Sequence, residues 1–324
     1  MDPWTASMRT SDALAAGWSA KALRGPAWQR QAHGVVRPAG SGGDPTIERI
    51  AAVRPLLTGA CAIGGWASLR IQGNEWFTGS GHDRTVRRVL VHCPAGAQLR
   101  PTRGVEPCRA GLYPDEFLDL DGWPVSTMAR AVYDEMRTAR DFREAVVALD
   151  MVLSTTHGAP RTTLDRVDAV VASHRKTRGI VQARRALGWA SCRSASPWET
   201  RTRLVARIDA GIPALRVNAP LFGPGGELLG VADLLEPESG LVIESDGAHH
   251  REAVPHAEDN AREERFEDHG LVVARVSALD HRDRWSLAGR LVTAWMRARR
   301  TRAASWTLDE PVWWGDWEPG RRWR

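Results

Sequence analysis

On either side of a turn over 236–240, the chain sets three carboxylic acids, Asp233, Glu244 and Asp246, and two histidines, His249 and His250, beside apolar runs. Val231-Ala232-Asp233-Leu234-Leu235 and Leu241-Val242-Ile243-Glu244-Ser245-Asp246 read as two strands joined by a turn over 236–240, with Gly247, His249 and His250 just beyond. If Glu236 pairs with Leu241, counting back along both strands sets Asp233 opposite Glu244. Side chains alternate faces along a strand, so Glu244 and Asp246 share a face and Ser245 points away. Three carboxylates crowded beside an apolar run repel one another unless a proton or a divalent cation neutralises them. The chemistry expected of such a patch is metal-dependent hydrolysis of a phosphodiester, in which the metal polarises the phosphoryl oxygen and activates water. In this reading Asp233 and Glu244 hold Mg²⁺ or Mn²⁺, and Asp246 ligates as well or orients water. His249 or His250 serves as general base, phosphate contact or ligand.

Other polar residues have two readings. Ser196-Pro197-Trp198-Glu199 matches a capping box with proline at the first helical position. Glu199 therefore either turns back to its own helix start or joins the acids as a catalytic or metal-binding group. Arg262, Arg265 and Arg275 either contact phosphate and neutralise the acids or lie on a solvated face.

The elements that must position these residues are most regular in the last third of the chain. A helix over 196–210 is closed by Gly211, and strand patterns follow at 215–219, 228–235 and 241–245. A helix over 257–269 ends at Gly270, 271–276 is a buried strand, and 286–299 is an amphipathic helix. The order is α-β-β-β-α-β-α. Upstream, short helices at 10–17 and 19–23 and a strand pair at 28–38 outline a small winged-helix-like module. The region 46–190 reads as mixed α/β, with helices at 47–53, 128–153 and 163–187 and a strand at 87–92. The expected organisation is thus a module at 1–40, a middle region at 46–190, a catalytic domain at 194–300 and a Trp-rich tail at 301–324.

A length of 324 residues suits more than one core. Cys61, Cys93, Cys108 and Cys192 are too scattered for a zinc site or a disulfide framework and are expected to be buried free thiols. The net charge of +5 is compatible with a polyanionic partner, although 44 basic against 39 acidic residues is a mild excess. No apolar run reaches the roughly 18–20 residues that span a bilayer, and the first residues lack a signal-peptide pattern. A cytoplasmic protein with no membrane partner is expected. A homodimer is compatible with the sequence.

With Ser196-Pro197-x-Glu199, Asp233, Glu244-x-Asp246-Gly247-x-His249-His250 and Arg275-Val276 in this order, the segment from about 194 to 299 resembles the endonuclease-like domain of the PD-(D/E)XK superfamily, in the branch similar to very-short-patch-repair endonucleases. Leu14-Ala15-Ala16-Gly17 through His33-Gly34-Val35 is more weakly similar to the winged-helix part of actinobacterial abortive-infection antitoxins. The resemblance implies an α+β multidomain protein whose C-terminal core is restriction-endonuclease-like with a central mixed sheet. It further implies a Mg²⁺-dependent endodeoxyribonuclease acting on DNA, with Asp233 and Glu244 as ligands. One departure stands out: the superfamily's lysine position, two after the second acid, is Asp246, so Asp246, His249 or His250 must take over its role. The rival expectation is a non-catalytic, antitoxin-like DNA-binding regulator that retains a degenerate nuclease fold. A third is a partner-binding protein recognised through its Trp-rich tail.

Overall fold

The computed structural model describes residues 7–40, 43–81, 85–156, 161–246, 256–301 and 305–316. The protein is α+β with mixed sheets, and it divides into two compact units. The first contains Met1–Thr138 and Asp165–Val181, the second Ala139–Leu164 and Gln182–Arg324.

The first unit begins with β1 (Met8–Arg9), α1 (Thr10–Ala15), β2 (Trp28–Ala32) and β3 (Val35–Pro38), the strands forming a sheet in the order β1-β3-β2. Ala13, Leu23 and Val36 make its small core, with Met8 and Trp28 against it. The second helix expected here is only a 3-10 turn, Ala22–Arg24. The Ser19 hydroxyl accepts the Ala22 N–H, a local bond that competes with regular helix. After α2 (Pro45–Ala51) come β4 (Ala62–Ile63), α3 (Gly65–Ile71), β5 (Val89–His92), β6 (Val105–Cys108), β7 (Phe117–Leu120), β8 (Trp123–Ser126) and α4 (Met128–Thr138). Their five strands lie in the order β6-β5-β4-β8-β7, and of these only β5 was expected.

The helical pattern over 128–153 is two helices rather than one. The Asp141 side chain accepts from the Arg143 and Glu144 N–H groups, capping α5 (Phe142–Leu153) and fixing the break. Next, α6 (Leu164–Ser173) belongs to the first unit, and α7 (Ile180–Leu187) leads back into the second. The interruption expected near Gly179 has a steric cause. A Cβ there would lie 2.0 Å from the Arg137 carbonyl oxygen, and φ is +86°.

In the second unit α8 (Pro197–Leu204) runs into a π-helical turn over Val205–Asp209. Then follow β9 (Arg216–Phe222), β10 (Leu228–Glu236), β11 (Leu241–Asp246), α9 (His256–Asp268), β12 (Val272–Ser277), α10 (Arg284–Ala298) and α11 (Val312–Asp316). The sheet order is β12-β11-β10-β9, with β11 and β12 parallel and the other pairs antiparallel. Alternation divides the apolar residues between two faces. Leu234, Leu241, Ile243 and Val276 pack with Ile212 and with Leu287 and Leu291 of α10. Leu235, Val242 and Val273 pack with Phe266 of α9 on the other side. Among the described residues, no helix is long and apolar enough to cross a membrane.

The described part of the tail is built into this unit. Phe222 and Thr307 exchange backbone hydrogen bonds of 3.0 and 2.8 Å, covering the edge strand β9. Trp306 and Leu308 lie against the Phe266 core, and Trp314 is wholly buried with its ring edge-on to Phe222 at 5.3 Å. The described part of the tail thus supplies core. Replacing Trp314 with Ala is expected to destabilise the second unit by about 3–5 kcal/mol, the usual cost of emptying a large aromatic site. Urea unfolding followed by Trp fluorescence measures it, and an unchanged midpoint would contradict the packing described.

Candidate functional site

The β10–β11 turn sets the register. Glu236 accepts at Oε2 from the Ser239 N–H (2.9 Å) and the indole of Trp295 (3.3 Å), and at Oε1 from the Glu238 N–H (3.2 Å). Glu236↔Leu241, Leu235↔Val242 and Leu234↔Ile243 are ladder partners. One step further Asp233 faces Glu244, and there side chains replace the backbone ladder. Ser245 N–H donates to Asp233 Oδ2 at 2.7 Å, and Asp233 N–H approaches Glu244 Oε1 at 3.4 Å. Each acid thereby anchors to the strand that carries the other.

Glu199 meets this hairpin from α8. The Ser196 hydroxyl accepts the Glu199 N–H at 3.2 Å, which is the expected cap. The carboxylate returns only part-way, however, taking the Ala195 N–H at 2.8 Å and Asn218 Nδ2 at 2.7 Å on Oε2. Asn218 is a residue that sequence reasoning missed. It is buried in the middle of β9 with φ +47°, a conformation asparagine tolerates better than most residues. Its neighbours pair as Ala232↔Ala219 and Leu234↔Val217, so Asn218 stands across from Asp233. Its amide also donates to the Arg193 carbonyl at 2.6 Å. Its sequence signal is faint: an Asn inside an otherwise apolar strand. Asp150 of α5 supports α8 from behind, accepting from Thr200 Oγ1 (2.8 Å), Arg203 (2.7 Å) and the Ser191 N–H (2.8 Å).

The electrostatics follow from this crowding. Burial, reinforced by the charge of Asp233, raises the Glu244 pKa to about 8, although Arg262 opposes the shift. Burial and Asp233 likewise raise Glu199 to about 7 against its hydrogen bonds from Ala195, Asn218 and Ser196. Glu199, Asp233 and Glu244 thus feel one another as a single patch of negative charge drawn from α8, β10 and β11.

The rim is a groove lined by Glu244, Asp246, Arg262, Glu263, Phe266 and Arg275. Arg262 of α9 donates to Glu244 Oε2 at 2.8 Å. Gly230 lets α9 come this close, since a Cβ there would lie 2.8 Å from the Phe266 ring and 3.0 Å from the Arg262 side chain. Asp246 is exposed at the strand end beside Glu244. Arg275 is the parallel register partner of Glu244 and pairs with Glu263, whereas Arg265 donates to the Leu229 carbonyl at 3.1 Å. His249 and His250 lie outside the described residues.

Among the described residues, no group of three or more His, Cys, Asp and Glu side chains is disposed to hold a metal ion. The donor chemistry nevertheless fits a hard divalent cation. All three donors are carboxylates, an ionised carboxylate has about four lone-pair directions, and two of these acids are poorly stable as buried anions. The thiols differ from expectation in one respect: Cys61, Cys93 and Cys108 are buried, but Cys192 is exposed.

No protein-family model matches the chain, and no solved structure matches it. The chain is similar to two curated proteins of Mycobacterium tuberculosis, the uncharacterized protein MT2308 of strain CDC 1551 / Oshkosh and the uncharacterized protein Rv2248 of strain ATCC 25618 / H37Rv. Each is 29% identical over 223 residues, covering 66% of this chain and 77% of the relative.

Raised carboxyl pKa values carry a stability signature. The folded state holds these protons more tightly than the unfolded chain, so the associated stability is full below about pH 4.5 and declines as pH climbs through 7 to 8. In EDTA, the melting temperature contributed by this site should therefore fall toward pH 9, and Glu244→Gln should flatten that fall. Differential scanning calorimetry on both proteins checks this, and parallel profiles for the two would contradict it.

Proposed function

We propose that the second unit is a metal-dependent endodeoxyribonuclease. The reading rests on one observation: the buried Glu199 and Glu244 and the half-buried Asp233 converge from three elements into one negative patch beside a groove with Arg262 and Arg275. Asp233 and Glu244 would hold Mg²⁺ or Mn²⁺, with Glu199 and Asp246 as further carboxylates at hand. A cation held there supplies charge neutralisation and Lewis-acid polarisation of a phosphodiester. The chain's own residues do the positioning. Ser245 N–H and Asn218 aim Asp233 and Glu199, and Arg262 places a fixed positive charge at the acids, where an anionic phosphate would otherwise be repelled. In the superfamily that the sequence resembles, a lysine brings positive charge from the position that is Asp246 here. In this unit Arg262 brings it from α9.

The second reading, a DNA-binding regulator with a silent site, draws on Asp246 at that lysine position and on the hold Arg262 already has on Glu244. One assay separates the two. Supercoiled plasmid should be nicked in Mg²⁺ and left intact in EDTA or by Asp233→Ala, with circular dichroism confirming that the variant is folded. Absence of metal-dependent nicking by the unaltered protein rejects the enzyme. A gel shift that survives Asp233→Ala and weakens steeply with salt would then favour the regulator. If the carboxyls bind the cation, protons compete with it, so Mg²⁺ should raise the melting temperature more at pH 8.5 than at pH 6.

A further inference from the structure

A second cluster of reactive side chains lies in the first unit, on the β5–β6 edge of its five-stranded sheet. His92 and Cys108 are register partners on parallel strands, so their side chains emerge on the same face. Onto that face α4 projects Arg130, Asp134 and Arg137, spaced at helical intervals and largely buried. His92 Nε2 meets Asp134 Oδ2 at 2.8 Å, and Arg137 pairs with the same carboxylate at 2.8 Å. Arg137 also reaches the Cys108 sulfur at 3.3 Å. The sulfur is thus flanked by a histidine that a buried aspartate holds and by a guanidinium that the same aspartate orients. A hydrogen-bonded Cys, His and Asp with an adjacent cation is an arrangement that stabilises a thiolate.

We propose that Cys108 is a reactive thiolate and a built oxidation site for small hydroperoxides. The surrounding charges agree with the geometry. Burial opposes the imidazolium of His92, as does the charge of Arg130, whose Nη2 lies 3.5 Å from Nδ1, but the Asp134 charge and hydrogen bond raise its pKa to about 9. Burial and Asp134 oppose the Cys108 anion. The hydrogen bond and charge of His92, together with Arg137, outweigh them and hold the thiol below its ordinary range. Cys93, one residue beyond His92, is the contrast. Burial and the neighbouring Cys61 push its thiol up to about 11. Cys108 keeps 8% of its surface in solvent, against 6% for Cys93 and 0% for Cys61, so its charged neighbours rather than its exposure set it apart.

The reaction balances with the hydroperoxide as oxidant. The thiolate sulfur attacks one peroxide oxygen, an S–O bond forms and the O–O bond breaks. With hydrogen peroxide the departing group is hydroxide, which takes a proton from solvent; with an alkyl hydroperoxide it is the alkoxide, which leaves as the alcohol. Sulfur is oxidised to the sulfenic acid by two electrons and the peroxide is reduced to water or the alcohol.

The full chain is treated with hydrogen peroxide at about pH 6.5, where an ordinary thiol is only about 1% ionised. Oxygen gain at each cysteine-bearing peptide is then followed by mass spectrometry. Cys108 should oxidise on the order of tenfold faster than the exposed Cys192, with Cys61 and Cys93 slower still. Arg137→Gln should slow Cys108 several-fold and Arg137→Lys should restore part of the rate, folding being checked by circular dichroism. Preferential oxidation of Cys192 with Cys108 intact in the folded protein overturns the proposal, whether or not the variants fold. So does a folded Arg137→Gln protein in which Cys108 oxidises at the unaltered rate.

Discussion

The second unit is organised around the point where the β10–β11 ladder stops. Beyond Leu234 and Ile243 the two strands are tied by carboxylates rather than by paired amides. That substitution has a physical consequence. A backbone N–H is a neutral donor that orients a carboxylate without cancelling its charge, so Asp233 and Glu244 are fixed in place while their repulsion persists. Glu199 is held in the same way, by the Ala195 amide and the Asn218 carboxamide, neither of which carries a charge. The unit tolerates this crowding because both faces of the sheet are filled with apolar side chains and the edge strand β9 is covered by the tail. Stability comes from the cores, and the strained charge is confined to one end of the hairpin.

How much of this was legible in the sequence differs sharply between the units. The Asp233–Glu244 juxtaposition could be counted from the turn, because a short hairpin fixes register and register fixes faces. The helix and strand order from 197 to 298 was legible because Gly211 and Gly270 stop helices and β10 and β11 are long apolar runs. The five-stranded sheet of the first unit was not. Its strands have two to four residues, two of them contain proline, and β6 and β8 join by parallel pairing with partners distant in sequence. Asn218 escaped because its role depends on a left-handed backbone inside a strand, which no periodicity records. The charged residues of α4 escaped for a different reason. Arg130, Asp134 and Arg137 follow the same spacing as a solvated face, and only the sheet packed beneath them makes that face interior.

The positive charge at the acids illustrates how position can pass between elements. A residue two beyond Glu244 would reach the site from the same strand, but that residue is Asp246 and it is exposed. Arg262 reaches it from α9, and it does so because Gly230 removes a side chain from the helix–strand contact. A lysine on β11 and an arginine on α9 are not equivalent. The guanidinium is planar, stays charged at any accessible pH and cannot act as a proton-accepting base at neutral pH. Arg262 therefore supplies charge at the acids but no base.

The two units bury charge in opposite ways, and the contrast separates structure from function. In the first unit each buried acid has cationic partners: Asp134 has His92, Arg130 and Arg137, Glu116 has Arg130 and His174, and Glu135 has Arg87. Their charges offset one another locally, and Asp134 is pulled well below the ordinary carboxylate range by its partners despite complete burial. In the second unit the shifts run the other way, upward, for Glu199 and Glu244. A fold that needed these acids only as struts would be more stable with amides in their places, since the same hydrogen bonds from Ala195 and Asp233 could be accepted without the repulsion. Glu244 keeps one cationic partner in Arg262, but burial and the charge of Asp233 outweigh it, and the proposed cation binding rests on that remaining repulsion. At Cys108 the same reasoning runs through the compensated network. There the cations of a balanced cluster extend one contact beyond the acids, to the sulfur.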